Sequence, residues 1–180
     1  GLLLADTYHF TNQTPASEIL ERASDAMQEY LLENWAKREP GLPYEAPVEV
    51  LTMASIIEKE SGRESDRRTI SQVFHNRLQR NMRLQTDPTV IYAIGDEFDG
   101  DIRSRDLRMD SPFNTYKIKG LPPTAIALPS FDSLLAAAQP TSGDYLYFVA
   151  RGDGTSQFSR TLGEHNAAVR KFLLQGTKLN

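Results

Sequence analysis

Apolar and polar positions alternate most clearly in the run Pro47-Val48-Glu49-Val50-Leu51-Thr52-Met53-Ala54-Ser55-Ile56-Ile57-Glu58-Lys59-Glu60. At about 100° per residue, Val50, Leu51, Met53, Ile56 and Ile57 share one side, as on an amphipathic helix. The same spacing predicts a helix from Pro15 to about Lys37 through Ile19, Leu20, Ala23, Met27, Tyr30, Leu31 and Trp35, with Thr14 as its cap and Pro15 in the first turn. A third helix, capped by Ser65 or Asp66, carries Ile70, Val73, Phe74 and Leu78. Asp87-Pro88 opens a short fourth through Val90, Ile91, Tyr92 and Ile94, closed by Gly95. Ser130 caps a fifth through Leu134 and Ala138, and the capping box Thr161-Leu162-Gly163-Glu164 starts a last one with Ala168, Val169, Phe172 and Leu173. The period of two appears once, in Tyr145 to Ala150 and Ser156 to Ser159 around the turn Arg151-Gly152-Asp153-Gly154, which reads as a β-hairpin. Residues 95 to 124, rich in Asp, Gly, Pro and Asn, read as a long irregular excursion of the kind that is usually functional. The pattern predicts one α+β domain, mostly helical, with a late hairpin.

Two glutamates end the second helix. Glu60 falls within roughly 50° of the apolar stripe's centre and Glu58 on the opposite, wet side. Burial against apolar neighbours disfavours the charged form, so the pKa of Glu60 is expected to rise. A carboxylic acid kept protonated near neutral pH can protonate a departing glycosidic oxygen. Gly62 is expected to end the helix just past Glu60, leaving it at the negative end of the helix dipole, which also opposes ionisation. The competing reading is structural: Arg63, Arg67 and Arg68 are near enough in sequence to pair with Glu60.

Composition narrows the rest. The 180 residues suffice for one well-cored domain, and 39% hydrophobic and 24% charged residues describe an ordinary globular chain. No apolar run approaches the roughly 18 residues a membrane span needs. A start at glycine suggests a piece of a longer chain. The absence of cysteine excludes disulfides and thiolate zinc sites, and His9, His75 and His165 are too dispersed for a metal site. There is no Gly-x-Ser-x-Gly elbow and no phosphate loop. A net charge of -4 argues against a nucleic-acid surface; the arginines between residues 63 and 83 read as a solvated helix face, with a DNA-reading helix as the lesser alternative. Gln85 and Thr86, just before the expected cap Asp87, and the amide, hydroxyl and ring of Asn114-Thr115-Tyr116 are residue types that bind sugars.

The run Leu51 to Ser61, then Leu84-Gln85-Thr86-Asp87-Pro88-Thr89-Val90-Ile91-Tyr92, Asn114-Thr115-Tyr116 and Gly120-Leu121-Pro122-Pro123, resembles in this order the endolytic murein transglycosylases of the YceG-like family. The resemblance covers nearly the whole chain. It implies cleavage of the bond between N-acetylmuramic acid and N-acetylglucosamine within peptidoglycan strands, leaving 1,6-anhydro ends. The acid sits on a lysozyme-like active-site helix and precedes Ser or Thr, which here selects Glu60. No cofactor or metal is implied. Ser61, Gln85, Thr86, Asp87, Asn114, Thr115 and Tyr116 are the expected substrate-binding residues; Gln85, Asn114 and Tyr116 are expected to hold sugar and N-acetyl groups, and Asp87 to act chiefly in structure. The resemblance further implies that residues 1–180 are the catalytic domain of a longer chain, with an N-terminal anchor and a LysM-like module, at the periplasmic face of the inner membrane. Glycan strands would be its partner, with cell-wall synthases as further candidates and nucleic acid excluded. The chain departs from the family pattern at Thr124, where a glycine is expected, and at Leu128-Pro129-Ser130. The rival reading is a non-catalytic glycan-binding or scaffold module.

Overall fold

A computed structural model describes residues 1–174. The helices are α1 (Ala16–Ala36), α2 (Pro47–Glu60), α3 (Glu64–Gln79), α4 (Asp87–Ile94), α5 (Phe131–Ala138) and α6 (Leu162–Val169). An antiparallel hairpin, β1 (Tyr147–Ala150) and β2 (Ser156–Ser159), precedes α6, and α6 runs on into a π-helical turn, Arg170–Leu174. This is the mostly helical α+β architecture that the pattern predicts. Among the described residues no helix is long and apolar enough to cross a membrane.

The centre of the fold is α2. Every residue from Val50 to Ile57 is buried, because α1, α3, α4 and α5 all pack against it. It is therefore enclosed on all faces, where the sequence suggested a stripe with a wet back. Thr52 and Ser55 are accommodated because their hydroxyls donate to Val48 O (3.0 Å) and Thr52 O (2.7 Å), and Ser55 Oγ also accepts the Ile126 N–H at 2.9 Å. Met53, Ile56 and Ile57 join Ile70 and Phe74 of α3, Leu134 of α5 and Met27 of α1 in one core. Each such side chain contributes about 1.5–3 kcal/mol by leaving water. On α1 the predicted face holds at Ala23 and Met27, but Leu20 stays 54% exposed.

Helix ends depart from the sequence reading more than helix bodies do. Pro15, not Thr14, is the N-cap of α1, and Thr14 Oγ1 accepts the Thr11 N–H instead (3.1 Å). Arg63 is the N-cap of α3, and Asp66 reaches out to accept the Ser156 N–H at 2.9 Å. Ser130 occupies the N-cap position of α5, but its hydroxyl donates to Glu58. The Thr161–Glu164 box forms as predicted, with Glu164 N to Thr161 Oγ1 at 3.2 Å and Thr161 N to Glu164 Oε2 at 3.3 Å.

Residues 95–124 are irregular apart from two short 3-10 turns, Gly95–Glu97 and Asp106–Arg108. The segment is nonetheless anchored, because Asn114, fully buried, donates to the carbonyls of Leu107 (3.1 Å) and Met109 (2.8 Å). Thr115 Oγ1 meets Thr89 Oγ1 of α4 at 2.7 Å. Thr124 is not among the positive-φ residues, so the loop does not need the glycine that the family pattern has there.

The hairpin turn uses Gly152 (φ 86°) and Gly154 (φ 83°), and Asp153 Oδ1 accepts the Thr155 N–H at 2.9 Å. Its tip is latched to the α2–α3 turn: Arg63 Nη2 donates to Asp153 O (3.0 Å) beside the Asp66–Ser156 bond.

Candidate active site

Glu60 is the last residue of α2. Ser61 leaves the helix in an extended conformation (φ -89°, ψ 114°) while its N–H still donates to Ile57 O at 3.0 Å. Gly62 is not in the left-handed region, so the expected glycine cap is replaced by this extended exit. The Ser61 hydroxyl donates to Arg63 O (2.5 Å), a turn-forming role rather than a substrate contact. The carboxyl of Glu60 opens onto a cleft of about 570 Å³. From the near side of the sequence come Gln85, Asp87 and Tyr116; Val73, Phe74 and Arg77 come from α3; Tyr147, Phe148 and Ser156 from the hairpin; Leu162, His165 and Asn166 from α6.

Burial raises the pKa of Glu60 from 4.5 to about 7; the hydroxyl of Thr86, which donates to its carboxylate, pulls the other way, and the charge of Asp87 adds to the rise. No basic side chain of the described residues lies within 4.0 Å of it. The arginines that could have neutralised it are engaged elsewhere: Arg63 at the hairpin tip, Arg68 on Gln139 O (2.6 Å), and Arg67 between Glu58 (3.7 Å) and Asp132 (3.4 Å). They staple elements together, so the reading of this segment as a plain solvated face is also corrected.

Glu58 is not on a wet side. Its side chain is 23% exposed, and one oxygen accepts from Ser130 N (2.9 Å), Ser130 Oγ (2.6 Å) and Ser133 Oγ (2.6 Å) at the start of α5. Desolvation pushes its pKa up, but these hydrogen bonds and Arg67 outweigh it and hold the carboxyl below the ordinary value. Two residues apart, one glutamate is thus kept neutral and the other charged.

The other sequence candidates divide. Thr86 is 2% exposed and is the N-cap of α4, so its role toward substrate is through Glu60. Asp87, predicted to cap, is instead the first residue of α4, exposed in the cleft, and accepts the Tyr116 phenol at 2.5 Å. A second carboxylate therefore stands beside the acid. Burial, then the bond to Asp87, keep the Tyr116 phenol protonated well above its ordinary range. Gln85 is exposed in the cleft with a left-handed backbone (φ 53°), fixed by its N–H on Thr115 O (3.1 Å). Asn114 and Thr115 do not line the cleft; both are 0% exposed. Thr115 orients the 84–87 segment, since its Oγ1 accepts the Thr86 N–H at 3.1 Å, while Asn114 anchors the loop through residues 107 and 109. Direct sugar contact by Asn114 and Thr115 is accordingly withdrawn.

Sequence reasoning missed Arg77, Tyr147 and His165. His165 stacks on Tyr147 (centroids 5.2 Å apart, 23° between planes), and the Arg77 guanidinium stands 5.0 Å from the Tyr147 ring. Arg77 was detectable: three and four residues after Phe74 and Val73, it falls on the apolar face of α3. No group of three or more His, Cys, Asp or Glu among the described residues could hold a metal.

The sequence profile of the YceG-like family matches residues 1–171. A Bacillus subtilis (strain 168) protein named endolytic murein transglycosylase is 41% identical over 96% of this chain and 48% of its own length. A Streptococcus pneumoniae serotype 2 protein of the same name is 31% identical over 100% of this chain and 33% of its own. The crystal structure of a YceG-like protein from Listeria monocytogenes superposes with a TM-score of 0.79 at 41% identity, covering 93% of this chain and 54% of that one. The chain thus spans about half the length or less of the curated relatives it matches. Sequence profile, relatives and superposed structure agree that this chain belongs to the YceG-like family.

Proposed function

We propose that this domain is an endolytic lytic transglycosylase acting on peptidoglycan strands. The observation that carries this reading is a buried glutamic acid at the edge of a cleft large enough for sugar rings, with no basic side chain of the described residues within 4.0 Å and its pKa raised by burial to about 7. The relatives' name supplies the substrate class. Glu60 donates its proton to the glycosidic oxygen as the bond from that oxygen to C1 of N-acetylmuramic acid breaks. As carboxylate, Glu60 then takes the proton from the 6-hydroxyl of the same sugar while that oxygen bonds to C1, closing the 1,6-anhydro ring. The acid is regenerated and no water is consumed. Asp87, held by Tyr116, adds negative charge beside the reacting carbon, where positive charge develops. On this reading the domain works at the periplasmic face of the inner membrane. On the same reading, a membrane anchor and synthase partners belong to the whole protein.

The test is to incubate the protein with purified glycan strands and follow anhydro-ended products by mass spectrometry. Wild type is expected to release them, and Glu60→Gln to lose at least the factor of about 10² to 10⁴ that a general acid supplies. Equal product from both proteins would remove Glu60 from this role.

A further inference from the structure

Among the described residues that line the cleft, Arg77 is the charged one that the proposed reaction does not use. It is 8% exposed, yet no carboxylate among the described residues lies within 4.0 Å of it. A cation so deeply placed is almost always paired, because the desolvation of an isolated charge is costly. Here the guanidinium is held by neutral oxygens: Nε donates to Leu146 O (2.7 Å), and Nη1 to Leu84 O (2.9 Å), Arg83 O (3.1 Å) and Gln85 Oε1 (3.3 Å). Those bonds fix the plane of the group and leave Nη2 with no protein acceptor among the described residues and not sealed from solvent. Arg77 thus presents a preorganised, uncompensated positive charge to the same cleft that Glu60 faces, with Phe74 and Leu84 as apolar neighbours. A guanidinium in this condition is suited to an anion, and a carboxylate matches its geometry best.

We propose that Arg77 anchors a carboxylate of the substrate and so sets which sugar occupies the position beside Glu60. This rests on the murein reading above and deepens it. In peptidoglycan only the muramic acid residues bear carboxylates, either on the lactyl ether of a peptide-free sugar or on the attached stem peptide. N-acetylglucosamine has none. An arginine that demands a carboxylate therefore distinguishes the two alternating sugars and fixes the register of the strand.

The experiment uses Glu60→Gln protein, which holds strands without cutting them, and measures binding to native strands and to strands whose carboxylates have been amidated. Native strands are expected to bind at least tenfold more tightly. Because the protein's net charge is -4, general attraction to an anionic polymer does not produce that difference. Adding Arg77→Gln is expected to lower native-strand affinity to the amidated level and leave the amidated value unchanged, while Arg77→Lys keeps part of the preference. Strands stripped of peptides by an amidase, which frees the lactyl carboxyl from its amide bond, assign the source: tighter binding than native strands points to the lactyl carboxylate, weaker binding to the stem peptide. Equal binding of free-carboxylate and amidated strands by the Glu60→Gln protein, with peptide-bearing and peptide-stripped strands alike, overturns the proposal, and that comparison does not depend on an Arg77 variant folding. A failure of the cleavage reading shows separately, as wild type releasing no anhydro ends.

Discussion

The acidity of Glu60 is a balance of three local effects, and two can be removed singly. Burial is the largest, Thr86 opposes it, and Asp87 adds to it. A general acid must be protonated, so the alkaline limb of the pH profile reports this group. Thr86→Val removes a donor that stabilises the carboxylate and is expected to move that limb to higher pH. Asp87→Asn removes a neighbouring negative charge and is expected to move it to lower pH, with a fall in rate as well. Both are checked by kcat/KM against pH on defined strands; shifts in the same direction would contradict this account. The acid itself was legible in the sequence, because Glu60 follows an apolar helix and precedes Ser61. Asn114 and Thr115 were misread because a polar residue in a polar-looking loop gives no local sign of burial. Their partners are carbonyls and hydroxyls distant in sequence, such as Met109 and Thr89. Arg77 was hidden among the arginines around it, although its helical phase set it apart.

At the scale of elements, helix bodies were legible and several of their ends were not. Periodicity over 14 residues is a strong signal for α2, whereas the choice between Ser65 and Arg63 as a cap depends on which side chain is needed elsewhere. Asp66 is needed by the hairpin and Ser130 by Glu58, so neither side chain makes a capping bond to its own helix, although Ser130 keeps the N-cap position of α5. The same α2–α5 junction gives a prediction. Glu58→Ala leaves the Ser130 and Ser133 hydroxyls without their acceptor and takes one of the two carboxylates from Arg67, and is expected to cost about 2–3 kcal/mol of stability. Denaturant unfolding measures the loss, and the pH profile of cleavage in the folded variant is expected to stay in place. A displaced profile would mean that Glu58 contributes to the chemistry.

For the whole molecule, the raised pKa of Glu60 couples activity to stability. A group titrating at about 7 folded and 4.5 unfolded contributes fully to stability below 4.5 and loses that contribution as pH rises through 7. The difference corresponds to about 3 kcal/mol. Glu60→Gln cannot ionise, so relative to wild type it is expected to gain stability between pH 5 and 8, measured as a widening gap in Tm; a constant gap would count against a neutral acid in the native state. Buried His75 acts in the opposite sense. Its pKa is lowered to about 4 by desolvation, so its contribution is present above 6.5 and is lost as pH falls through 4. Stability is thus trimmed on both flanks by two groups, only one of which is used in chemistry.

The latch between the hairpin tip and the residues just after Glu60 changes how the 151–154 turn can be treated in engineering. Exposed glycine turns are ordinarily safe places to splice in an epitope or a fluorescent reporter. Here Arg63 grips Asp153 three positions downstream of Glu60, so a peptide grafted at that tip would pull on the Glu60 carboxyl. Labels are better inserted beside Gly100, where the chain is open to solvent, with Gly100 itself kept because its φ of 100° strains any side chain.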